Sequence, residues 1–155
     1  MKAPKNYWLL KSEPGAYSID DLNREKKTAW TGIRNYQARN FMRDGMCPGD
    51  LCLFYHSNGD PMGVVGVARV VGKPYPDPTQ FDKKHHYFDP KSSPKDPTWM
   101  LVDIAFVKKF KQCVTLAEIK NDPALEGMML RARARLSVQP VSQAHFEYIA
   151  DALAP

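Results

Sequence analysis

The chain has 155 residues, which is enough for one folded domain with a buried core. Its 22 Lys and Arg against 17 Asp and Glu give a formal net charge of +5, which suits an anionic partner but is also common among soluble proteins. Because no apolar run approaches the roughly 20 residues that cross a bilayer, and the three cysteines have the irregular spacing of reduced thiols, we expect a cytoplasmic protein without a membrane partner.

The first predicted elements are a short buried strand and a short helix. Residues 7–10 (YWLL) are aromatic and aliphatic, which favours a strand, and Pro14 and Gly15 end it. Ser18, with Asp21 three positions later, has the pattern of a capping box, so the sequence predicts that a helix begins at this serine.

Residues 30–40 (WTGIRNYQARN) combine an indole, a planar cation, an amide and a phenol. Such groups can stack on a flat heterocycle, hydrogen-bond to its edge and hold an anion beside it. A lone tryptophan usually belongs to the core, but the polar, turn-forming flanks of Trp30 favour a partly open ring beside a pocket. Asn35 caps the next helix or contacts a base, and the two roles are compatible. Arg34 and Arg39 are by default solvated charges.

The helix after Asn35 is predicted to end near Gly45, and a hairpin follows it. Residues 51–55 (LCLFY) and 63–71 (GVVGVARVV) are two buried strands, with a strong Asn-Gly turn signal between them. Residues 55–57 (Tyr-His-Ser) lie where the first strand emerges. That is a common place for binding groups, and it is equally well explained as the plain end of a hairpin.

A long proline-rich loop, residues 73–97, comes next. Connections of this length inside a compact domain are usually functional or are surface excursions, and prolines keep them stiff. The loop leaves open a third class of function, in which the protein binds other proteins through this segment.

The last third of the chain is predicted to contain two strands and two short helices. The strands are residues 99–107 (WMLVDIAFV) and 137–141 (SVQPV), and Ser142 caps the closing helix. Thr115 and Glu118 form a second capping box.

Basic residues are concentrated between these elements. Residues 108–135 carry seven Lys and Arg against three Asp and Glu. Such a run usually marks a solvated face, and beside a stacking pocket it would follow a phosphate backbone. Within it, arginines alternate with apolar residues from 131 to 136, which fits an extended segment without excluding a helix.

The sequence shows no motif of a catalytic or metal centre. It contains no G-x-S-x-G, H-E-x-x-H or Walker pattern, and its histidines and cysteines do not have zinc-site spacing. We therefore predict no catalytic residue, no metal and no cofactor.

Taken together, these segments resemble the EVE domain family of PUA-like proteins. The resemblance implies one domain over residues 1–155 with an α+β fold, in which a mixed, barrel-like sheet of five to six strands is flanked by short helices. It also implies a relation to YTH domains, which hold methyladenine in an aromatic cage. YTH cages take further tryptophan walls from the loop after the hairpin, whereas this chain's loop offers Tyr75, Phe81, Tyr87 and Phe88 but no tryptophan before Trp99, so the resemblance does not extend to methyladenine specificity. The segments that carry it are YWLLKSEP, SIDDL, WTGIRNYQARN, GDLCLFYHSN, GVVGVARV, YPDPTQFD, FDPKSSP, WMLVDIAFV and RLSVQPV.

The family resemblance implies recognition of a modified base in nucleic acid, 5-methylcytosine and 5-hydroxymethylcytosine among them. Transferred to this chain, it implies a base pocket built from Trp8, Lys11, Ser12, Trp30, Ile33, Arg34, Asn35, Tyr55, His56, Ser57, Ser137, Val138 and Gln139. The predicted phosphate contacts are Arg39, Arg43, Lys108, Lys109, Arg131, Arg133 and Arg135.

We therefore predict a non-enzymatic reader that captures one modified base, most consistent with modified cytosine, from DNA or RNA. A monomer is favoured. The alternative is a PUA-like hydrolase acting on a modified nucleoside or a related small molecule, which would use Lys11, Glu13 or His56 as an acid–base group with a shifted pKa.

Overall fold

The computed structural model describes residues 3–133 and 135–154, and its central element is a mixed β-sheet. In chain order the strands are β1 (Tyr7–Ser12), β2 (Lys27–Ala29), β3 (Leu51–His56), β4 (Gly63–Val70), β5 (Tyr75–Pro76), β6 (Met100–Leu101), β7 (Asp103–Thr115) and β8 (Val138–Val141). Six of them form one sheet in the order β2-β7-β4-β3-β1-β8, and β5 pairs with β6 separately. The large sheet is curled into a half-barrel, which confirms the predicted α+β fold.

Strand direction brings several chain ends to one edge of this sheet. β1 and β3 are parallel, with Ser12 opposite His56, so both strands end at the same edge. β8 is antiparallel to β1 and therefore begins there. The predicted hairpin is confirmed as the antiparallel pair β3–β4. Residues far apart in sequence thus meet at this edge.

Two hydrophobic cores lie on opposite faces of the sheet, because successive side chains of a strand alternate. The first core contains Trp8 and Leu10 of β1, and the second contains Leu9 between them. Trp30 belongs to the first core, and Ile119 belongs to the second.

Short helices cover both faces of the sheet. They are α1 (Ile19–Glu25), α2 (Tyr36–Asn40, continued by a wider turn over Phe41–Gly45), α3 (Leu116–Asn121), α4 (Met129–Ala132) and α5 (Gln143–Glu147, continued over Tyr148–Leu153). Shorter 3-10 turns span Pro78–Phe81 and Pro123–Leu125.

The predicted helix starts are confirmed by their hydrogen bonds. Ser18 and Asp21 form a reciprocal capping box at α1, and Thr115 and Glu118 form another at α3. At α2, the Asn35 side chain accepts a hydrogen bond from the main-chain N–H of Ala38.

One sequence-based prediction differs from the structure, and one alternative that the sequence left open is decided by it. The strand predicted over residues 99–107 is divided between β6 and the much longer β7, which also contains the first lysines of the basic run. The division falls at Val102, whose carbonyl accepts a hydrogen bond from Trp30 at 2.9 Å. The alternation of arginines that suggested an extended segment falls partly in α4. No helix within the described parts of the chain is long and apolar enough to cross a membrane.

Candidate nucleic-acid interface

A cavity of about 600 Å³ opens at the sheet edge where β1 ends. We call it the Trp30 cavity. Pockets of a few hundred cubic ångströms are typical of small-molecule sites, so a single nucleobase fits. Four separate segments line it: Lys11, Ser12, Glu13, Ala16 and Tyr17; Thr28, Ala29, Trp30, Thr31, Gly32 and Ile33; Tyr87; and Ser137.

The indole of Trp30 is held firmly as one wall of the cavity. It is 8% exposed, and the rings of Tyr17 and Phe54 meet it nearly at right angles, with centroids 6.2 and 5.6 Å away. Its main-chain N–H donates to the carbonyl of Val102. The sequence favoured a partly open ring, whereas the structure buries the indole of Trp30 in the first core and still leaves it as part of the cavity lining.

Tyr87 closes the cavity from the long proline-rich loop. A Cβ atom added to Gly32 would lie 2.4 Å from the Tyr87 ring, and Gly32 has a φ of +85°, so this position requires glycine. The sequence identified Tyr87 only as one of several loop aromatics. The feature that could have singled out the loop is the family relation to YTH domains, whose corresponding loop supplies walls of the aromatic cage.

Arg34 fastens that loop and does not line the cavity. Its guanidinium donates to the carbonyl of Tyr87 at 2.9 Å and to the buried carboxylate of Asp77 at 3.2 Å. The same carboxylate accepts the main-chain N–H of Gly32 at 2.8 Å. Burial alone would raise the pKa of Asp77, but the hydrogen bonds from Gly32, Thr79 and Arg34 together lower it. Arg34 is therefore a structural cation in this fold.

The polar groups at the cavity are mostly neutral. The Ser12 hydroxyl donates to the carbonyl of Tyr17 at 2.6 Å. The Tyr17 hydroxyl donates to Glu25 at 2.6 Å, and burial together with this carboxylate raises the pKa of Tyr17 to about 12. Lys11 is the cation at the rim. Burial lowers its pKa, and its ammonium lies 5.4 Å from the centre of the Tyr55 ring.

Of the thirteen residues predicted for the base pocket, Lys11, Ser12, Trp30, Ile33 and Ser137 line this cavity, and the other predicted pocket residues do not. Trp8 is buried in the first core, and its indole N–H donates to the Asp50 carboxylate at 2.9 Å. Tyr55 is buried in the second core, because it alternates with Phe54 along β3.

His56 and Ser57 support the neighbouring structure. His56 accepts the main-chain N–H of Ile19 on Nε2 at 3.1 Å, so this nitrogen carries no proton. Burial lowers the pKa of His56, which agrees with a neutral imidazole. The main-chain N–H of Ser57 donates to the carbonyl of Ser12 at 3.0 Å.

Val138 and Gln139 are buried in β8. The Gln139 side chain donates to the carbonyls of Arg133 and Leu136, at 2.7 and 2.8 Å, and thereby holds the segment between α4 and β8 against the sheet. Asn35 is exposed and caps α2. It lines a second, smaller groove of about 270 Å³, the Asn35 groove, together with Ala132, Arg133, Arg135 and Leu136.

The predicted phosphate contacts are distributed over several parts of the surface. Arg133 and Arg135 line the Asn35 groove. Arg39 is tied to the long loop, since its guanidinium donates to the carbonyl of Thr98 at 2.7 Å. Arg43 is paired with Asp44 and Lys109 with Asp20.

The remaining two predicted phosphate contacts, Lys108 and Arg131, have their charged groups packed against other parts of the protein. The Lys108 ammonium lies 5.5 Å from the centre of the Phe110 ring. One guanidinium nitrogen of Arg131 is buried and, among the described residues, has no hydrogen-bond partner. Also among these residues, no group of His, Cys, Asp or Glu could hold a metal ion.

Comparison with known proteins assigns the chain to a family. A model of the EVE domain matches residues 6–152. Thymocyte nuclear protein 1 of Mus musculus is 44% identical over 163 residues, which cover 93% of this chain and 72% of the mouse protein. A hypothetical protein from Leishmania major has a TM-score of 0.89 at 49% identity, covering 94% of this chain and 92% of the other.

A fourth similarity concerns a structure that contains nucleic acid. Human THYN1 protein, solved in complex with DNA containing 5-methylcytosine, has a TM-score of 0.87 at 40% identity, covering 94% of this chain and 95% of the human one. The shared architecture is that of a small α+β domain built on a curled mixed sheet. The chain belongs to the EVE domain family, as the resemblance in its sequence predicted.

Proposed function

We propose that this protein binds 5-methylcytosine in DNA and holds the modified base in the Trp30 cavity. The observation that carries the proposal is the cavity itself: it has the size of a base site, a fixed indole as one wall, and polar groups around it that are neutral apart from Lys11 and Glu13. The human relative solved with 5-methylcytosine DNA supports the same ligand.

In this proposal each wall of the cavity has a role. Extruding a base from a duplex costs a few kcal/mol, and stacking on Trp30 returns about 1–3 kcal/mol. Because the Ser12 hydroxyl donates to Tyr17, its oxygen remains able to accept a hydrogen bond from the exocyclic amine of cytosine. The apolar side chain of Ile33 offers a contact for the methyl group.

Binding to matched DNA duplexes tests the proposal. Duplexes of one sequence, with and without a single 5-methylcytosine, are titrated by fluorescence anisotropy at fixed salt. We expect tighter binding of the methylated duplex. Trp30→Ala should remove about 1–3 kcal/mol of binding free energy from the methylated duplex, and Trp30→Phe should lose less because a flat ring remains.

The control is a variant on the other face of the sheet. Lys120→Gln changes an exposed charge on α3, whose Ile119 packs in the second core, and it should preserve the methyl preference. Thermal melting of each variant verifies that it is folded. Equal affinity of the wild-type protein for both duplexes would refute the proposal, as would unchanged discrimination in a folded Trp30→Ala variant.

DNA is proposed over RNA because the human relative was solved with DNA. An RNA of the same sequence with one 5-methylcytosine is the direct comparison, and we expect weaker binding. The cytoplasmic location expected from the sequence stays a prediction.

The hydrolase alternative is not favoured. Of its three candidate acid–base residues, His56 does not line the cavity, and its Nε2 atom accepts the N–H of Ile19. Lys11 and Glu13 do line the cavity, but the human relative solved with 5-methylcytosine DNA supports binding over turnover. Incubating the protein with 5-methyl-2′-deoxycytidine should therefore give no product by chromatography.

A further inference from the structure

Tyr36 is a strongly exposed aromatic side chain on the surface next to the Trp30 cavity. It is 62% exposed, yet its ring is fixed by two neighbours. Trp99 stacks against it at 5.0 Å with an interplanar angle of 29°, and the Arg39 guanidinium lies 5.0 Å from its centre. An exposed ring held in one orientation is prepared to stack on a flat partner, because little conformational freedom remains to be lost.

A continuous series of stacked groups connects Tyr36 with the cavity wall. The guanidinium of Arg34 lies 5.1 Å from the ring centre of Tyr87, which lines the cavity, and 5.4 Å from that of Trp99. Trp99 in turn stacks on Tyr36. The exposed ring is therefore positioned relative to the cavity by rigid contacts.

The Asn35 groove is lined by chain neighbours of cavity residues and of Tyr36. Asn35 lies two residues after Ile33 and next to Tyr36, and Leu136 precedes Ser137, so the chain leads from the cavity lining to the groove lining in both segments. Two arginines, Arg133 and Arg135, also line the groove. The guanidinium of Arg133 is oriented by a 2.8 Å hydrogen bond to Gln37, next to Tyr36 in the chain.

We infer that Tyr36 and the Asn35 groove bind the nucleotide adjacent to the captured base, with the Tyr36 ring stacked on the neighbouring base and Arg133 and Arg135 on its phosphate. This inference rests on the proposed function, because it gives the strand its path out of the Trp30 cavity. An exposed aromatic ring beside a cationic groove is the combination by which proteins hold single-stranded or unstacked nucleic acid. Because the groove carries two cations, a phosphate is a better ligand for it than the apolar surface of another protein would be.

Separating the neighbouring nucleotide from the captured base tests the inference. The full chain and its variants are titrated with the methylated duplex, the unmethylated duplex and 5-methyl-2′-deoxycytidine 5′-monophosphate. Tyr36→Ala should weaken binding of both duplexes about ten-fold. It should leave the ratio between the duplexes and the affinity for the mononucleotide unchanged. Tyr36→Phe should bind as the wild-type protein does, because the hydroxyl has no role in stacking.

Substituting the groove arginines should change a different quantity, the salt dependence of DNA binding. Arg135→Gln should reduce the slope of log affinity against log salt by about 1, whereas Lys120→Gln on α3 should leave that slope unchanged. The side chain of Arg135 is exposed, so this variant should fold normally.

The possible results separate this inference from the proposed function. Wild-type affinity of Tyr36→Ala for both duplexes would overturn the inference while the methyl preference stands. Loss of mononucleotide binding in Tyr36→Ala would also overturn it, since Tyr36 would then belong to the base site. A wild-type protein without methyl preference that still loses duplex affinity on Tyr36→Ala would refute only the proposed function. A wild-type protein that binds no duplex would refute both.

Discussion

Replacing Trp8 by phenylalanine should destabilise the protein without changing its choice of base. Trp8 and Trp30 were both predicted to form the base pocket, but the structure places them differently. Trp8 is 4% exposed, and its indole N–H donates to the buried Asp50 carboxylate. It also lies against Gly45, where an added Cβ would approach the indole to 2.7 Å.

The expected loss of stability has two contributions. A hydrogen bond to a charged group contributes about 1.5–3 kcal/mol. The gap that the smaller phenylalanine ring leaves costs about 1 kcal/mol more. A total near 3 kcal/mol corresponds to a decrease in melting temperature of about 6–12 °C for a domain of this size. Asp50 retains three other donors, the main-chain N–H groups of Lys5, Asn6 and Cys47, so the fold should persist.

Two measurements check this prediction. Chemical denaturation gives the change in the free energy of unfolding, and duplex titration at a temperature where the variant is folded gives the affinity ratio. Trp8→Phe should show the stability loss with an unchanged ratio, and Trp30→Phe should lower the ratio. A Trp8→Phe variant of wild-type stability with a reduced methyl preference would refute the assignment of Trp8 to the core.

Two other perturbations test the structure around the cavity. Gly32→Ala should lower the free energy of unfolding by about 1–3 kcal/mol and weaken binding of methylated DNA. The reason is that Gly32 has a left-handed backbone conformation and the added methyl group would meet the Tyr87 ring. Chemical denaturation and duplex titration check this, and a variant that matches the wild type in both would contradict the tight packing. Because burial lowers the pKa of His56 below its ordinary value of 6.5, the unfolded chain binds more protons than the folded one at mildly acidic pH. The His56 contribution to stability is therefore complete above pH 6.5 and is lost as the pH falls toward the lowered pKa. Between about pH 7.5 and 5.5 the wild-type protein should lose more stability than His56→Gln. Equal losses in the two proteins would show that the Ile19 contact does not depend on this titration.

Local sequence signals predicted the elements that depend on neighbouring residues. The capping boxes at Ser18 and Thr115 and the cap at Asn35 were recognisable because each pairs a side chain with the main-chain N–H of a residue three positions away. The β3–β4 hairpin was recognisable from its turn and two apolar runs. For Asn35, which had two possible roles, the structure shows the capping hydrogen bond.

Assigning residues to the cavity required the fold. Trp8 and Lys11 are three positions apart on β1, so they lie on opposite faces, and only the arrangement of the surrounding segments decides that Lys11 lines the cavity and Trp8 does not. The family resemblance implied a place for Tyr55 in the pocket, but alternation along β3 puts its ring in the second core. The resemblance of sequence segments to a family identifies the strands, but it does not by itself show which face of the sheet each side chain occupies.

The sequence by itself determined the family and the order of the main elements. It also singled out residues 30–40 as a binding segment, of which residues 30–33 line the cavity. Only the tertiary structure decided that Tyr87 completes the cavity, that Arg34 fastens the loop and that Tyr36 remains exposed beside a cationic groove. The physical reason is range. Caps and turns depend on contacts over a few residues, whereas the cavity depends on contacts between residues far apart in sequence, such as that of Arg34 with Tyr87 at a separation of 53 positions, which no local pattern specifies.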